Sequence, residues 1–149
     1  MIRKYKNADT EEILYIWQQA SKIAHSFFTL KFINQEKKNI KEIYLPKSET
    51  FVYEEKKIIL GFISMLDNEV GGLFVRPEKQ RQGIGKILLD YVSQFNKELE
   101  VEVFESNIAG IIFYENYGFK KIKEYIHQET NHKILRMKSI KSATGLQSI

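Results

Sequence analysis

Residues 107–119 read NIAGIIFYENYGF, and this stretch decides the fold. Asparagine is a residue type that caps a helix N-terminus, its side-chain oxygen accepting from an orphan backbone N–H. After Asn107, residues 108–117 read as a short helix, and Gly118 reads as the residue that ends it. In the plainest reading, Phe113, Tyr114 and Tyr117 pack that helix against a sheet. Immediately upstream, residues 99–104 (LEVEVF) alternate apolar and polar side chains, which is the period of a half-buried strand.

One element further upstream, QRQGIG (residues 80–85) opens an amphipathic helix with Ile84, Ile87, Leu88, Tyr91, Val92 and Phe95 on one face. Glycines let a backbone come close to an anion, which the free amides and positive end of a helix N-terminus can hold. Arg81 and Lys86 add positive charge beside the turn. A simple strand-to-helix connection competes with this reading, because two glycines one residue apart are a weak signal. Two nucleotide motifs are excluded. The dinucleotide fingerprint needs a third glycine where Leu88 stands. The Walker A loop needs glycine where Gln80 stands and Ser or Thr where Ile87 stands.

Working outward, residues 2–6 suggest an edge strand. Asp9 or Thr10 then caps a helix carrying Ile13, Ile16, Trp17, Ala20 and Ile23 or Ala24. Past His25, Ser26, Phe27 and Phe28, a second helical pattern runs through Phe32, Ile33, Ile40, Ile43 and Tyr44, and Pro46 is expected to end it. Residues 49–55 and 57–66 read as strands joined by a charged turn, and residues 69–75 as a third strand that Pro77 stops. Gly71 and Gly72 within that strand signal a bulge, a close backbone approach or a later strand start at Leu73. Residues 119–128 and 133–138 close the pattern as an antiparallel pair. The order is β-α-α-β-β-β-α-β-α-β-β, a single mixed α/β domain over residues 1–138, with residues 139–149 expected to be a flexible C-terminal tail.

The chain has 149 residues, 43% of them hydrophobic and 18 of them Phe or Tyr, enough for one sizeable core. Without cysteine, neither disulfides nor thiolate metal sites can form. No apolar run nears the roughly 20 residues of a membrane span, and the first residues lack a signal-peptide core, so a cytoplasmic location with no membrane association is expected. The net charge of +4 and isoelectric point near 9.1 are spread among 19 acidic residues. That scatter argues against a nucleic-acid partner, which calls for clustered charge.

The Q-x-x-G-x-G turn at 80–85 and the N-x-x-G-x-x-F-Y-x-x-x-G-F run at 107–119 stand one strand apart. Together with the element order over nearly the whole chain, they closely resemble the GNAT superfamily of acetyl-CoA-dependent N-acetyltransferases. AHSFF, SETFVYEE, GFISMLDN and TNH further resemble its bacterial YjaB/YiaC-type subgroup, which includes peptidyl-lysine acetyltransferases. The resemblance implies a single-domain GNAT fold: a mixed, mostly antiparallel sheet of about seven strands, splayed between the fourth and fifth, flanked by about four helices. It implies transfer of the acetyl group of acetyl-CoA to a primary amine (a protein lysine, an N-terminus or a small amine) by direct attack in a ternary complex. No metal is implied, and the enzyme would be a monomer or homodimer. A non-catalytic acyl-CoA-binding or regulatory module on the same fold is the alternative.

Carried over residue by residue, the resemblance lays the coenzyme A pyrophosphate on Arg81, Gln82, Gly83, Ile84, Gly85 and Lys86. Leu73, Phe74 and Val75 would offer backbone groups to the pantetheine arm, and the Val75 amide would polarise the thioester carbonyl. Asn107 would bond the arm. Phe113 is counted with the cofactor-contacting residues, packing being its simpler role. Tyr114 matches the general acid that protonates the departing thiolate, and it too adjoins the cofactor.

The base stays open among three residues. Glu69 lies six residues before Val75, where some histone-type members place a glutamate, and period-two alternation would put it on the same face as Leu73 and Val75. Glu105 ends the alternating strand. His25 titrates in a useful range and could be base or acceptor contact. A water chain could replace all three. The acceptor cleft is expected from the variable elements, here residues 21–45 and 125–133.

Overall fold

The computed structural model describes residues 1–140. Alternation in the fifth strand, β5 (Glu98–Phe104), sets the two faces of the sheet: Leu99, Val101 and Val103 are buried, while Glu100, Glu102 and Phe104 point the other way. The buried side packs on two helices, α4 (Ile84–Ser93) and α5 (Ile108–Tyr117). Its core joins Ile84, Leu88, Leu89, Val92 and Tyr114 to Val101, Val103, Phe119 and Met137.

The first half of the chain builds the other layer. After β1 (Ile2–Lys4), helices α1 (Thr10–Ala24) and α2 (Leu30–Asn39) cover the opposite face. There Ile13, Ile16, Trp17 and Ile33 pack on Val52, Ile59 and Phe62 of the hairpin β2 (Glu49–Glu55) and β3 (Ile58–Leu66). The helical path does not stop before Pro46. It runs through a π-helical turn, Ile40–Tyr44, into a single turn α3 (Leu45–Lys47), with Pro46 inside that last turn. The Leu45 amide reaches back five residues to the Ile40 carbonyl. Proline near a helix end leaves few ladder bonds to break.

The strand order is β1-β2-β3-β4-β5-β7-β6, completed by β4 (Glu69–Val75), β6 (Lys120–His127) and β7 (His132–Ile140). Each neighbouring pair is antiparallel except β4–β5. That parallel pair is joined only at Glu69↔Glu100 and Val70↔Val101. Beyond it β4 stays on β3 as far as Val75, and β5 stays on β7 as far as Phe104. The sheet is therefore split in a V, as expected. Ser139 and Ile140 close β7, and residues 141–149 of the expected tail lie outside the described residues. Among the described residues no helix is long and apolar enough to cross a membrane.

One irregularity reverses an expectation. Ser64 pairs with Gly72 and Met65 with Val70, leaving Gly71 without a partner as a β-bulge. An extra residue inverts the parity of the strand. Val70, Leu73 and Val75 thus share the α4–α5 core, and Glu69 lies on the opposite face from Leu73 and Val75 rather than beside them.

Candidate active site

The end of β4 is held firmly on β3. The Arg76 amide donates to the Leu60 carbonyl at 2.8 Å. The Arg76 side chain donates to the Ile59 carbonyl at 2.6 Å and to Glu12 at 2.8 Å. Because backbone groups alternate along a strand, the amides and carbonyls of Leu73 and Val75 face the split, while those of Phe74 join the β3 ladder. Phe74 turns its ring toward Phe62, 5.7 Å away on the α1 side. Gln80 donates its Nε2 to the Val75 carbonyl at 3.1 Å, which ties the following turn to the mouth of the split and leaves the Val75 amide free to point into it.

In that turn Arg81 and Gly83 both take positive φ, 65° and 86°. The first helical bond runs from the Ile87 amide to the Gly83 carbonyl at 3.0 Å. The amides of Ile84, Gly85 and Lys86 precede it and have no helical acceptor. Converging free amides at a positive helix end are an anion cradle. The Phe113 ring comes so close to Gly85 that a Cβ there would stand 3.3 Å from it. The Lys86 ammonium, mostly exposed, reaches Asp90 at 2.9 Å, and the Gln82 side chain leans back to the Glu78 carbonyl.

Across the split, Asn107 caps α5, its Oδ1 accepting from the Gly110 amide at 3.0 Å. A Cβ on residue 110 would fall 2.5 Å from Asn107 Nδ2, so any larger residue there would displace this carboxamide from its present position. The Nδ2 donor has no hydrogen bond among the described residues and is available to a ligand carbonyl. Tyr114 lies one side of α5 inward, edge-on to Phe113 at 5.1 Å and to Phe119 at 5.2 Å. Burial pushes its phenol above the usual tyrosine range, so it keeps its proton at neutral pH. Tyr117 ties α5 to α4 through a 2.7 Å bond to Asp90, and burial raises its phenol to about 12.

The base candidates are not brought together: Glu69 and His25 lie on the opposite face, whereas Glu105 follows β5 with the parity of Val103. Glu69 meets Glu100 and Glu102 around the single guanidinium of Arg136. Glu105 stands at the rim, 3.8 Å from Lys133 and more than half exposed. His25 is half-buried against Phe28 at 4.9 Å and Phe104 at 5.1 Å, and its buried Nδ1 has no partner among the described residues. Burial pushes its imidazole down to about 4, which keeps it neutral but makes it a weak base.

Around Phe104 the two variable segments meet. Phe27 stacks on His132 at 3.7 Å, Phe32 stands edge-on to His127 at 6.1 Å, and His127 stands edge-on to Phe104 at 5.3 Å. All three histidines of the chain thus converge on this cluster. Beside it, Glu36 of α2 is pushed above the usual carboxylate range by burial and then by Glu129 of the β6–β7 turn.

A split parallel pair, a glycine turn at its mouth and a capped Tyr-bearing helix across it define the site. The chain matches the family described as acetyltransferase (GNAT) domain over residues 10–140. It belongs to the GNAT acetyltransferase family. It is 32% identical to peptidyl-lysine N-acetyltransferase YiaC of Escherichia coli over 120 residues, 80% of this chain and 82% of that one. It is 26% identical to peptidyl-lysine N-acetyltransferase YjaB of the same organism, over 80% and 81% of the two chains. The solution structure of apo YjaB from Escherichia coli superposes with a TM-score of 0.83 at 22% identity, covering 93% of this chain and 95% of that one. The PaiA N-acetyltransferase of Thermoplasma acidophilum, crystallised with coenzyme A, superposes with a TM-score of 0.79 at 22% identity, over 94% and 98%.

This GNAT acetyltransferase is accordingly an acyltransferase that uses acetyl-CoA. Sequence reasoning missed Arg136 and the Phe104 cluster. The signal for the first was present: two glutamates on one face of a central strand call for solvent or a cation, and LEVEVF places Glu100 and Glu102 there.

Proposed function

We propose that this protein transfers the acetyl group of acetyl-CoA directly to the side-chain amine of a protein lysine. The observation that carries the reading is the split between β4 and β5: backbone groups of Leu73 and Val75 line one edge, the amides of residues 84–86 stand at its mouth, and a protonated Tyr114 lies across it. Similarity to two peptidyl-lysine acetyltransferases supports the lysine acceptor.

In this reading the free amides of the 81–86 turn hold the pyrophosphate, and Asn107 Nδ2 and the backbone of Val75, next inward from the turn, hold the pantetheine amides as an added strand would be held. Because the arm runs inward from the mouth, it is the Leu73 amide, deeper in the split than that of Val75, that donates to the thioester oxygen as charge builds there. Glu69, from the other face, takes a proton from the acceptor ammonium, freeing the lone pair that forms the C–N bond. As the C–S bond breaks, Tyr114 gives its proton to the departing sulfur. The Phe104 cluster walls the acceptor side, and acetyl-CoA of the cytoplasm is the expected donor pool.

The test is release of free thiol from acetyl-CoA, followed with a thiol-reactive dye, against lysine peptides, protein N-termini and small amines. Turnover highest with lysine peptides is expected. No thiol release with any amine, despite coenzyme A binding, would leave a binding module and end the enzymatic reading.

A further inference from the structure

The closed end of the split is an unfavourable place for two carboxylates. Glu69 and Glu100 face each other directly in the short β4–β5 register, and like charges in that position repel. Glu102 adds a third carboxylate two residues along β5 on the same face. What reconciles them is a residue from a strand further off. Arg136 sits opposite Glu102 in the β5–β7 register, and its side chain crosses β5 to reach β4. Its Nε donates to Glu100 Oε1 at 2.6 Å, and its Nη1 donates to Glu102 Oε2 at 3.1 Å and Glu69 Oε2 at 3.3 Å. The neighbouring charges are already occupied or turned aside. Lys138 pairs with Glu98 at 3.3 Å, and Lys123, across from Arg136 on β6, lies near the Tyr125 ring at 5.9 Å.

The three contacts are unequal in a useful way. Each carboxylate is held through one oxygen; Glu100 has the shortest bond and Glu69 the longest. Among the described residues Glu69 Oε1 accepts no hydrogen bond, so it can take a proton while the other oxygen is anchored. A planar fork on a stiff strand fixes direction as well as charge, which a lysine ammonium does not.

We propose that Arg136 is a positioning residue that holds Glu69 of β4 in place for proton removal from the acceptor amine. This rests on the reading of Glu69 as the base. Arg136 stands two strands away from β4, on β7, and touches none of the groups assigned to the cofactor.

The test compares Arg136→Gln, Arg136→Lys, Glu69→Gln and the double variant Arg136→Gln/Glu69→Gln in the full chain, with acetyl-CoA and a lysine peptide. Glu69→Gln is expected to lower kcat about 100-fold. Arg136→Gln should lower kcat about 10-fold or more, with the coenzyme A Kd within about twofold of wild type, and Arg136→Lys should recover part of the loss. The double variant should be no slower than Glu69→Gln, because a carboxylate already removed cannot be misplaced. Losses that add in the double variant would overturn the proposal, as would an Arg136→Gln enzyme with unchanged kcat. If Glu69→Gln keeps full kcat, the proposal falls while acetyl transfer stands, since wild-type turnover reports that separately. Should Arg136→Gln not fold, shown by lost coenzyme A binding, Arg136→Lys against Glu69→Gln completes the same cycle.

Discussion

Gly61 is the position at which fold and cofactor site can be perturbed together. It faces Val75 across the β3–β4 ladder. A Cβ built there would stand 2.9 Å from the Phe74 carbonyl oxygen, 3.2 Å from Val75 Cγ2 and 3.3 Å from Ile84 Cγ2. The first neighbour is backbone and cannot rotate away, so Gly61→Ala must push β4 outward by about 0.5 Å to restore ordinary contact; overpacking of this kind costs about 1–3 kcal/mol. In a domain of this size that lowers Tm by about 3–10 °C. The displaced atoms are Val75, whose amide faces the split, and Ile84, which begins α4 at the anion cradle. Weakening one hydrogen bond there costs about 1.4 kcal/mol, so the Kd for coenzyme A should rise about tenfold. Gly118→Ala, outside the groups assigned to the cofactor, is the control. The nearest atom to its Cβ is Ser139 Oγ at 3.8 Å, and only its φ of 117° is strained, at about 1 kcal/mol, so β3 and β4 keep their spacing. Thermal unfolding and calorimetric titration with coenzyme A read both variants. A Gly61→Ala protein that loses stability but binds coenzyme A with wild-type Kd would refute the coupling of this glycine to the site.

Tyr114→Phe keeps the edge-on ring packing and removes only the proton donor; kcat should fall about 100-fold with coenzyme A affinity intact, and equal losses in both would refute the acid role. Phe104→Ala removes the ring on which His25, Phe27, Phe28 and His127 pack. It should cost about 3 kcal/mol of stability and raise KM for the lysine peptide at unchanged coenzyme A Kd; an unchanged KM would move the acceptor elsewhere. His25, at about 4 in the fold against an ordinary 6.5, binds a proton in the unfolded chain between those values but not in the folded one. Stability due to its neutral burial is therefore present above about pH 6.5 and is lost as pH falls toward 4. His25→Phe should flatten the drop in Tm across that window, and an equally steep drop in the variant would show that other groups cause it.

The turn and helix that frame the proposed cofactor site were legible because their signals are local. The glycine turn, the Asn107 cap and the Gly118 stop each act within a few residues, and their order along the chain survives into the fold. Two features were not legible. The bulge at Gly71 inserts one residue, and Gly71 and Gly72 announce an irregularity without saying whether it changes parity; that single residue moved Glu69 to the other face. For Arg136 the sequence announced a need for solvent or a cation at Glu100 and Glu102, but not which residue meets it. The partners of that arginine lie 34 to 67 positions away in sequence, joined only because β7 inserts between β5 and β6. The Phe104 cluster likewise needs the chain to bring residues 25–32 against residues 127–132 before any ring meets another.

The bulge also gives the proposed chemistry its geometry. Acetyl transfer to an amine needs a proton removed on the side from which nitrogen approaches and a proton supplied on the side from which sulfur departs. Tyr114 can supply one because it is dry: its face is the apolar core of Leu88, Val101 and Met137, and burial holds the phenol neutral. A carboxylate on that same face would be buried without a cation, at a cost of several kcal/mol. Had β4 kept regular alternation, Glu69 would lie on the face of Leu73 and Val75, within that core. Instead the extra residue turns Glu69 toward Arg136, where its charge is paired and part-exposed, while Leu73 and Val75 still present their backbone to the split. One irregular residue thus separates the dry environment of the proposed acid from the side on which the proposed base is paired with a cation, on the two faces of a single sheet.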